Sequence, residues 1–257
     1  MLKGLYTAYT GMLNEQYRMD VMSNNLANAA TTGFKKEGTT QQAFDEVLAF
    51  RIKDRADGVD AAPIGSMRLG VKIGENYTDY SQGSLRITEN PFDFAISGKG
   101  YFAVDVIGAD GKSSVKYTRD GSFTVNKDGY LVTSDGDYVL AKNGNRVRLN
   151  PNATASVDEF GTIRQNGTVV SQLQLADFED YDYLEKYGNN YYQPVEGAKM
   201  ADATGRIHQG YLEMSNVQTV SEMVHMIEIS RAYESNQKLI QTMDSTLQIA
   251  TSQLGKV

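Results

Sequence analysis

Two apolar stripes with helical spacing, one at each end of the chain, limit the folds open to this sequence more than any other feature. Their residues follow alternating steps of three and four, which is typical of a helix that packs along one seam. The amino-terminal seam comprises Leu2, Leu5, Tyr9, Met12, Gln16, Met19, Ser23 and Leu26. The carboxyl-terminal seam comprises Met226, Ile229, Tyr233, Asn236, Ile240, Met243, Leu247, Ala250 and Leu254. The sequence therefore predicts a long helix at each terminus.

Local signals set the expected ends of these two helices. Gly33 follows the amino-terminal pattern, and glycine often closes a helix because it adopts positive φ at little cost. We therefore place the first helix within residues 1–33 and expect positive φ at Gly33. The last helix is placed within residues 211–257. Its candidate caps are Ser215, Asn216 and Ser221.

Between the two helical patterns, short segments rich in β-forming residues alternate with turn dipeptides. In each dipeptide Asp or Asn precedes Gly, which is typical of tight hairpin turns. They are Asp110-Gly111, Asp120-Gly121, Asp128-Gly129, Asp135-Gly136, Asn143-Gly144 and Asn166-Gly167. We predict an antiparallel β domain over residues 76–210, joined to the first helix by an extended or hairpin-like connector over residues 34–75. The predicted fold class is α+β, with coiled-coil-forming terminal helices flanking the β domain.

Polar residues within the seams bear on what the helices contact. Gln16, Ser23 and Asn236 favour helix pairing, because polar seam residues set register at a cost in stability. The two helices can then pair with each other and with helices of neighbouring copies. The competing interpretation is that both are ordinary core helices of a globule.

Composition argues against several classes of function. The chain has 257 residues, and 25 Lys and Arg against 32 Asp and Glu give a net charge of −7, which disfavours nucleic-acid binding. Cysteine is absent, so thiol catalysis and disulfides are excluded. His208 and His225 are the two histidines, which leaves few candidates for a metal site or a catalytic triad. We predict no catalytic residue, cofactor, metal or small-molecule substrate.

Two patterns resemble ligand sites, and each has a simpler interpretation. The segment from Gly98 through Gly100 to Ala103 matches part of a dinucleotide fingerprint, but the residues that follow favour a strand where that site needs a helix. Residues 177–185 form the densest acidic run, which could bind Ca²⁺ or supply paired carboxylates. The interleaved Tyr and Phe favour a packed surface edge with solvated charges.

The amino terminus does not have the form of a cleaved signal peptide. Polar and charged residues interrupt the continuous apolar stretch that such a peptide needs. No run of 18 apolar residues predicts a transmembrane helix. The sequence is compatible with export by a route that recognises features other than a cleaved signal peptide.

Three groups of residues resemble signatures of the bacterial flagellar rod and hook proteins. The amino-terminal group is Asn24, Asn25, Leu26, Ala27, Asn28, Thr31, Gly33, Phe34 and Lys35. The central group contains Asp93-Phe94-Ala95-Ile96, Gly98, Gly100-Tyr101-Phe102 and Tyr117-Thr118-Arg119-Asp120-Gly121-Ser122-Phe123. The carboxyl-terminal group contains Gly210-Tyr211-Leu212-Glu213, Ser215-Asn216-Val217, Met226-Ile227 and Arg231-Ala232-Tyr233-Glu234-Ser235-Asn236. The likeness covers nearly the whole chain and is greatest to the distal rod members of the family.

This resemblance implies a structural subunit that self-assembles into the axial rod of the flagellar basal body, transmits torque and lines the export channel. The family's terminal helices form an inner coiled-coil layer, and its β domain lies outside. The implied partners are copies of the chain itself, other rod proteins and the hook protein along the axis, the flagellar type III export apparatus and surrounding ring proteins. Export without a cleaved signal is implied as well. Within the family, a proximal rod protein or another axial protein of the hook and basal body is the alternative.

Two other classes of protein compete with this interpretation. A β-rich carbohydrate-active enzyme would need a pocket with two facing carboxylates. A generic coiled-coil adaptor would bind an unrelated helix and stay soluble at high concentration. Fibre formation that depends on concentration distinguishes a rod subunit from both.

Overall fold

The architecture is α+β, with a helix at each end of the chain and a β-rich region between them. The structure is a computed structural model that describes residues 2–51, 62–108, 111–151, 153–188 and 190–254. The chain divides into two compact units. The first, here called the helical unit, comprises Met1–Ala27, Glu37–Asp79 and Gln218–Val257. The second, here called the β unit, comprises Asn28–Lys36 and Tyr80–Val217.

Within the described residues, the helical unit contains two helices and four strands. They are α1 (Leu2–Ala27), β1 (Glu37–Ala43), β2 (Val47–Arg51), β3 (Ala62–Met67), β4 (Val71–Thr78) and α2 (Thr219–Leu254). β1 pairs with β4 and β2 pairs with β3, both antiparallel. The four strands occupy the segment expected to be a connector, of which residues 52–61 lie outside the described part. No helix in the described part combines the length and apolarity that a membrane span requires.

α1 and α2 pack against each other in opposite directions. A Cβ placed on Gly4 would lie 2.7 Å from Met243 Cε, and one on Gly11 would lie 3.1 Å from Asn236 Nδ2. The steps of seven along both helices keep one register, which matches a heptad seam. Formation of a coiled coil by these helices, with each other or with other copies, stays a prediction.

The two predicted seams differ in how well they match the buried faces. On α2 the described seam residues from Met226 to Ala250 are all buried or half-buried, with Ile229 only 2% exposed. On α1 the match to the face buried within one chain is poorer, because Tyr9 is 47% exposed and Gln16 is also exposed. The remaining α1 seam residues with described side chains are half-buried except Ser23, which is exposed. The side chains of Leu2 and Leu254 lie outside the described part.

Small residues explain the poorer match on α1. Gly4 and Gly11 face α2, and Ala8, which lies between them at helical spacing, is 6% exposed. Small side chains let two helix backbones approach closely, and large apolar residues would separate them. A search for large apolar residues therefore finds a stripe that is rotated away from the actual contact.

Both helices are shorter than expected. α1 ends at Ala27 rather than at Gly33, and α2 begins at Thr219 rather than near residue 211. Tyr211–Glu213 forms a strand instead, because its backbone pairs with Leu85–Ile87. Long-range strand pairing thus replaces helix at the start of the range predicted for the last helix.

The described residues of the β unit form sixteen further strands. In chain order they are β5 (Leu85–Ile87), β6 (Phe94–Ser97), β7 (Tyr101–Ile107), β8 (Ser113–Thr118), β9 (Thr124–Val125), β10 (Leu131–Val132), β11 (Tyr138–Val139), β12 (Ala155–Val157), β13 (Thr162–Gln165), β14 (Thr168–Gln172), β15 (Leu175–Phe178), β16 (Leu184–Tyr187), β17 (Tyr191–Pro194), β18 (Met200–Ala201), β19 (Arg206–Gln209) and β20 (Tyr211–Glu213). A nine-stranded sheet runs in the order β16-β17-β8-β7-β11-β10-β9, with β15 and β18 attached beside β7. β12, β13 and β14 form a three-stranded sheet, and β19-β6 and β20-β5 are strand pairs.

β7 is the central strand of the β unit and is buried on both faces. Phe102 and Val104 belong to one apolar cluster, and Tyr101 and Ala103 belong to a second cluster. This division follows from the two-residue repeat of a strand, which sends neighbouring side chains to opposite faces. The segment from Gly98 to Ala103 therefore enters a strand and not a helix, as the sequence indicates.

The turn dipeptides have more than one role. Asn166 and Gly167 have φ values of 51° and 80° and join β13 to β14, which confirms a primed hairpin turn there. Asp128-Gly129, Asp135-Gly136 and Asn143-Gly144 do not form primed turns, because φ is positive at the glycine alone. Asp120-Gly121 does not form one either. A Cβ on Gly121 would collide with the Phe94 carbonyl oxygen, so this glycine permits a close approach of two backbone segments.

Candidate functional site

Motif residues from three distant parts of the sequence meet around one buried carboxylate in the β unit. Lys35 Nζ lies 2.6 Å from Glu213 Oε1, and Arg119 Nη1 lies 3.3 Å from Glu213 Oε2. All three side chains are at most 4% exposed. Each of the three residues belongs to a different sequence motif, and the fold brings them together into an ion-pair cluster.

Backbone groups complete the ion-pair cluster. Lys35 Nζ donates to the Ser81 carbonyl oxygen at 2.8 Å, and Gly83 N donates to Glu213 Oε1 at 3.0 Å. Arg119 Nη2 donates to the Gly98 carbonyl oxygen at 2.9 Å. Removing one member of such a buried set is costly, because charge is left without compensation. The cluster therefore ties the segments that carry these residues to one another.

Arg119 also lies against the Tyr101 ring, with its guanidinium carbon 5.0 Å from the ring centroid. Burial raises the pKa of the Tyr101 hydroxyl well above its usual range, although the Arg119 charge opposes the shift. Tyr101 therefore stays neutral in the folded protein. The contact adds a cation–π interaction to the ion-pair cluster.

The turn that contains Thr31, Gly33 and Phe34 is hydrogen-bonded to the backbone of Glu213, next to the ion-pair cluster. Gly33 N donates to the Glu213 carbonyl oxygen at 2.8 Å. Gly33 has φ of 69°, as the sequence predicts, but it lies beyond the end of α1 and does not cap it. A Cβ on Gly33 would lie 2.5 Å from Asp120 N, so the position requires glycine for space as well as for φ. Phe34 is 1% exposed.

The asparagines of the amino-terminal motif have separate roles. Within the helical unit, Asn25 Nδ2 donates to the Glu37 carbonyl oxygen at 2.7 Å and Asn25 Oδ1 accepts from Glu37 N at 2.9 Å. This pair of bonds attaches the last turn of α1 to the first residue of β1. Within the β unit, the Asn28 carbonyl oxygen accepts from Thr31 N at 3.1 Å. Asn24 and Ala27 are exposed, and Leu26 is half-buried.

Exposed apolar faces on both helices form the second feature of interest. On α2 the first two turns expose a stripe at helical spacing, with Val220 75% exposed and Ile227 53% exposed. The full stripe is Val220, Met223, Val224 and Ile227. On α1 the exposed stripe is Tyr6, Tyr9 and Leu13. Contiguous exposed apolar surface of this kind marks an interaction site.

Neither the two histidines nor the acidic run supplies a member of the ion-pair cluster. His225 Nδ1 is 3.4 Å from Glu228 Oε2 on the exposed side of α2. His208 lies beside the Tyr211 ring. Residues 177–185 span the end of β15, a 3₁₀ turn at Tyr181–Tyr183 and the start of β16. Among the described residues, no group of three His, Asp or Glu side chains could hold a metal ion.

Comparison with known proteins adds family information to this geometry. Residues 5–35 match the model of flagella basal body rod proteins. Residues 95–171 match that of the flagellar hook protein FlgE/F/G D1 domain, and residues 208–254 match that of the flagellar basal body rod FlgEFG protein C-terminal region. The three matches contain the residues of the ion-pair cluster and all of the three motif groups except Asp93 and Phe94.

Individual relatives match over nearly their full length. The flagellar basal-body rod protein FlgG of Buchnera aphidicola subsp. Schizaphis graminum is 34% identical, with 96% of this chain and 98% of the relative covered. The flagellar hook-basal body complex protein FlhO of Bacillus subtilis is 33% identical over 100% of both chains. The flagellar basal-body rod protein FlgF of Caulobacter vibrioides is 32% identical over 100% of both chains.

Proposed function

The chain belongs to the flagellar basal-body rod protein family, and from that premise we propose that it self-assembles as a structural subunit of the axial rod. FlgG-named relatives favour the distal rod. Relatives named FlgF and FlhO make a proximal rod protein, or another axial protein of the hook and basal body, the alternative. The role is mechanical: the polymer transmits torque and its inner surface lines the export channel.

The exposed stripe on the first turns of α2 carries this proposal. Its four apolar side chains lie outside the face that packs on α1, so a folded monomer leaves them in water. A matching stripe on α1 provides a second surface of the same character. Burial of apolar area drives association, at about 25 cal/mol per Å². When two different surfaces of one chain meet, the contact is heterologous. Such contacts build a helical tube if the rotation that relates neighbouring copies does not close into a ring.

Partners and location follow from this role. We expect contacts with copies of the chain along the tube, with other rod proteins and the hook protein at its ends, and with surrounding ring proteins. The subunit reaches the basal body through the flagellar export apparatus without a cleaved signal. It uses no cofactor and acts on no substrate.

The proposal is tested by assembly of the purified chain. Sedimentation and electron microscopy over a range of concentrations are expected to reveal tubes above a critical concentration. Ile227→Asp is expected to abolish them while leaving the melting temperature of the monomer unchanged, because the side chain already faces water. Ser235→Asp, which adds the same charge at an exposed polar position of α2, is the matched control. A chain that stays monomeric at every concentration contradicts the proposal.

A further inference from the structure

Two edges of the sheets in the β unit differ in charge. Among the described residues, β14 lies at one edge of the three-stranded sheet and β16 lies at one edge of the nine-stranded sheet. An edge strand presents unpaired N–H and C=O groups, and proteins usually protect it with charged residues or proline. β14 has five residues, of which Gln172 already accepts from Lys142 N at 2.8 Å, and β16 has four.

β14 lacks the usual protection. Its sequence is Thr-Val-Val-Ser-Gln, without charge or proline, and Val169 and Val170 are both exposed. Two shallow grooves meet at Val170. Lys142 lines one groove, and Lys127 lines the other together with Arg148 and Asp128. An uncharged, apolar edge thus lies within a rim in which positive charge predominates.

β16 has the opposite surroundings. The acidic run leads into it, and Glu179, Asp180, Asp182 and Glu185 are all exposed. Lys199 lies 4.0 Å from Glu179, and Lys186 belongs to β16 itself, so two lysines offset part of the charge of these four carboxylates. Asp182 and Glu185 have no such ion pair in the described part of the chain. Negative charge therefore predominates at this edge.

We propose that β14 of one copy pairs with β16 of a neighbouring copy, so that the two β units join edge to edge. The inference rests on the proposed function, because it needs an ordered polymer of the chain. Main-chain hydrogen bonds join the two edges. Attraction between the basic rim around β14 and the acidic run beside β16 favours this pairing over the pairing of two β14 strands. Since two different edges meet, the contact repeats from one copy to the next.

Charge reversal tests the pairing. One variant carries Lys127→Glu and Lys142→Glu, and a second carries Asp182→Lys and Glu185→Lys. Each is expected to raise the critical concentration for assembly about tenfold, because like charges then face each other across the contact. A third variant with all four substitutions exchanges the two charges and is expected to return the critical concentration to within about twofold of wild type. Lys112→Glu, at an exposed position outside both edges, is the matched control and is expected to leave assembly unchanged.

Each outcome has a defined meaning, provided that circular dichroism gives all monomers the same melting temperature. If the wild-type chain forms tubes but both reversals assemble normally, the edge pairing is wrong and the rod function stands. If only the β14 reversal weakens assembly, β14 pairs with another surface, such as a second β14, and the proposal fails. Failure of the four-substitution variant to recover also overturns it. A wild-type chain that forms no tubes removes both the pairing and the rod function.

Discussion

Lys35 and Glu213, near opposite ends of the sequence, form a buried ion pair with 2.6 Å between Nζ and Oε1. Glu213 also pairs with Arg119, so that one carboxylate lies between two cations. The β unit therefore depends on residues that lie far outside its central sequence. This dependence distinguishes the β unit from a β domain formed by residues 76–210 alone.

The three members of the ion-pair cluster are expected to differ in their effect on stability. Glu213→Gln leaves two buried cations unpaired, and we expect it to lower the free energy of unfolding by about 3–5 kcal/mol. Lys35→Met leaves the pair of Arg119 and Glu213 balanced, and we expect a smaller loss, about 1–2 kcal/mol. Urea unfolding followed by circular dichroism measures both. A larger loss for Lys35→Met than for Glu213→Gln contradicts this account of the charges.

Stability is expected to fall at alkaline pH because of the buried tyrosines. Burial first, and then the hydrogen bond to Asp177, raises the pKa of Tyr181 from 10.0 to about 12. The pKa of Tyr101 is raised as well, mainly by burial. In the unfolded chain tyrosines lose their protons near their ordinary pKa of about 10. The free energy of unfolding is therefore at its full value below about pH 10 and falls as pH rises toward about 12.

Urea midpoints at about pH 9 and about pH 11 measure this loss. Tyr101→Phe removes one titrating hydroxyl and is expected to make the decrease between the two pH values smaller. Equal midpoints for the wild-type chain at both pH values contradict the prediction.

Gly33 is expected to tolerate no side chain. Gly33→Val combines an unfavourable φ of 69° with a Cβ that would lie 2.5 Å from Asp120 N, and we expect it to destabilise the β unit by more than about 1 kcal/mol. Gly144→Ala is the control for φ alone, because Gly144 has φ of 78° and its Cβ would meet no atom within 4 Å. Thermal melts compare the two. A similar loss for both would show that close packing at Gly33 has no effect.

Two positions on the seam of α2 are expected to separate folding from assembly. Ile229 is 2% exposed, so Ile229→Asp buries an unpaired carboxylate and is expected to lower the melting temperature of the monomer. Leu247 lies one turn beyond Met243, which already faces Gly4 at the start of α1. Leu247→Asp is therefore expected to spare the monomer and to abolish tube formation. A large fall in the melting temperature of this variant contradicts the prediction.

A fragment restricted to residues 75–210 is expected to be unstable, although it contains the local hairpins of the β domain. It lacks both Lys35 and Glu213 and leaves Arg119 buried without its carboxylate. A longer fragment that joins Asn28–Lys36 to Tyr80–Val217 by a flexible linker restores the cluster and is expected to melt cooperatively at a higher temperature. Equal melting of the two fragments would show that the cluster contributes nothing.

Local signals in the sequence suffice to predict several elements of this protein. The three-four spacing predicts both terminal helices, because a helical backbone places such residues on one face within a few turns. Asn166-Gly167 predicts its hairpin turn, since the turn needs positive φ at both positions. The motifs predict the family because they depend on residue identity alone. Patterns within a short stretch suffice for each of these conclusions.

The side-chain contacts between these elements are visible only in the tertiary structure. The face of α1 toward α2 is formed by small residues such as Gly4 and Gly11, which an apolar pattern does not detect. Tyr211–Glu213 is a strand because of its pairing with Leu85–Ile87, although it borders a helical pattern. Lys35 and Glu213 are 178 positions apart in the sequence, and no local pattern contains the information that they pair. Contacts between distant residues are set by the free energy of the whole fold, which a stretch of sequence does not determine on its own.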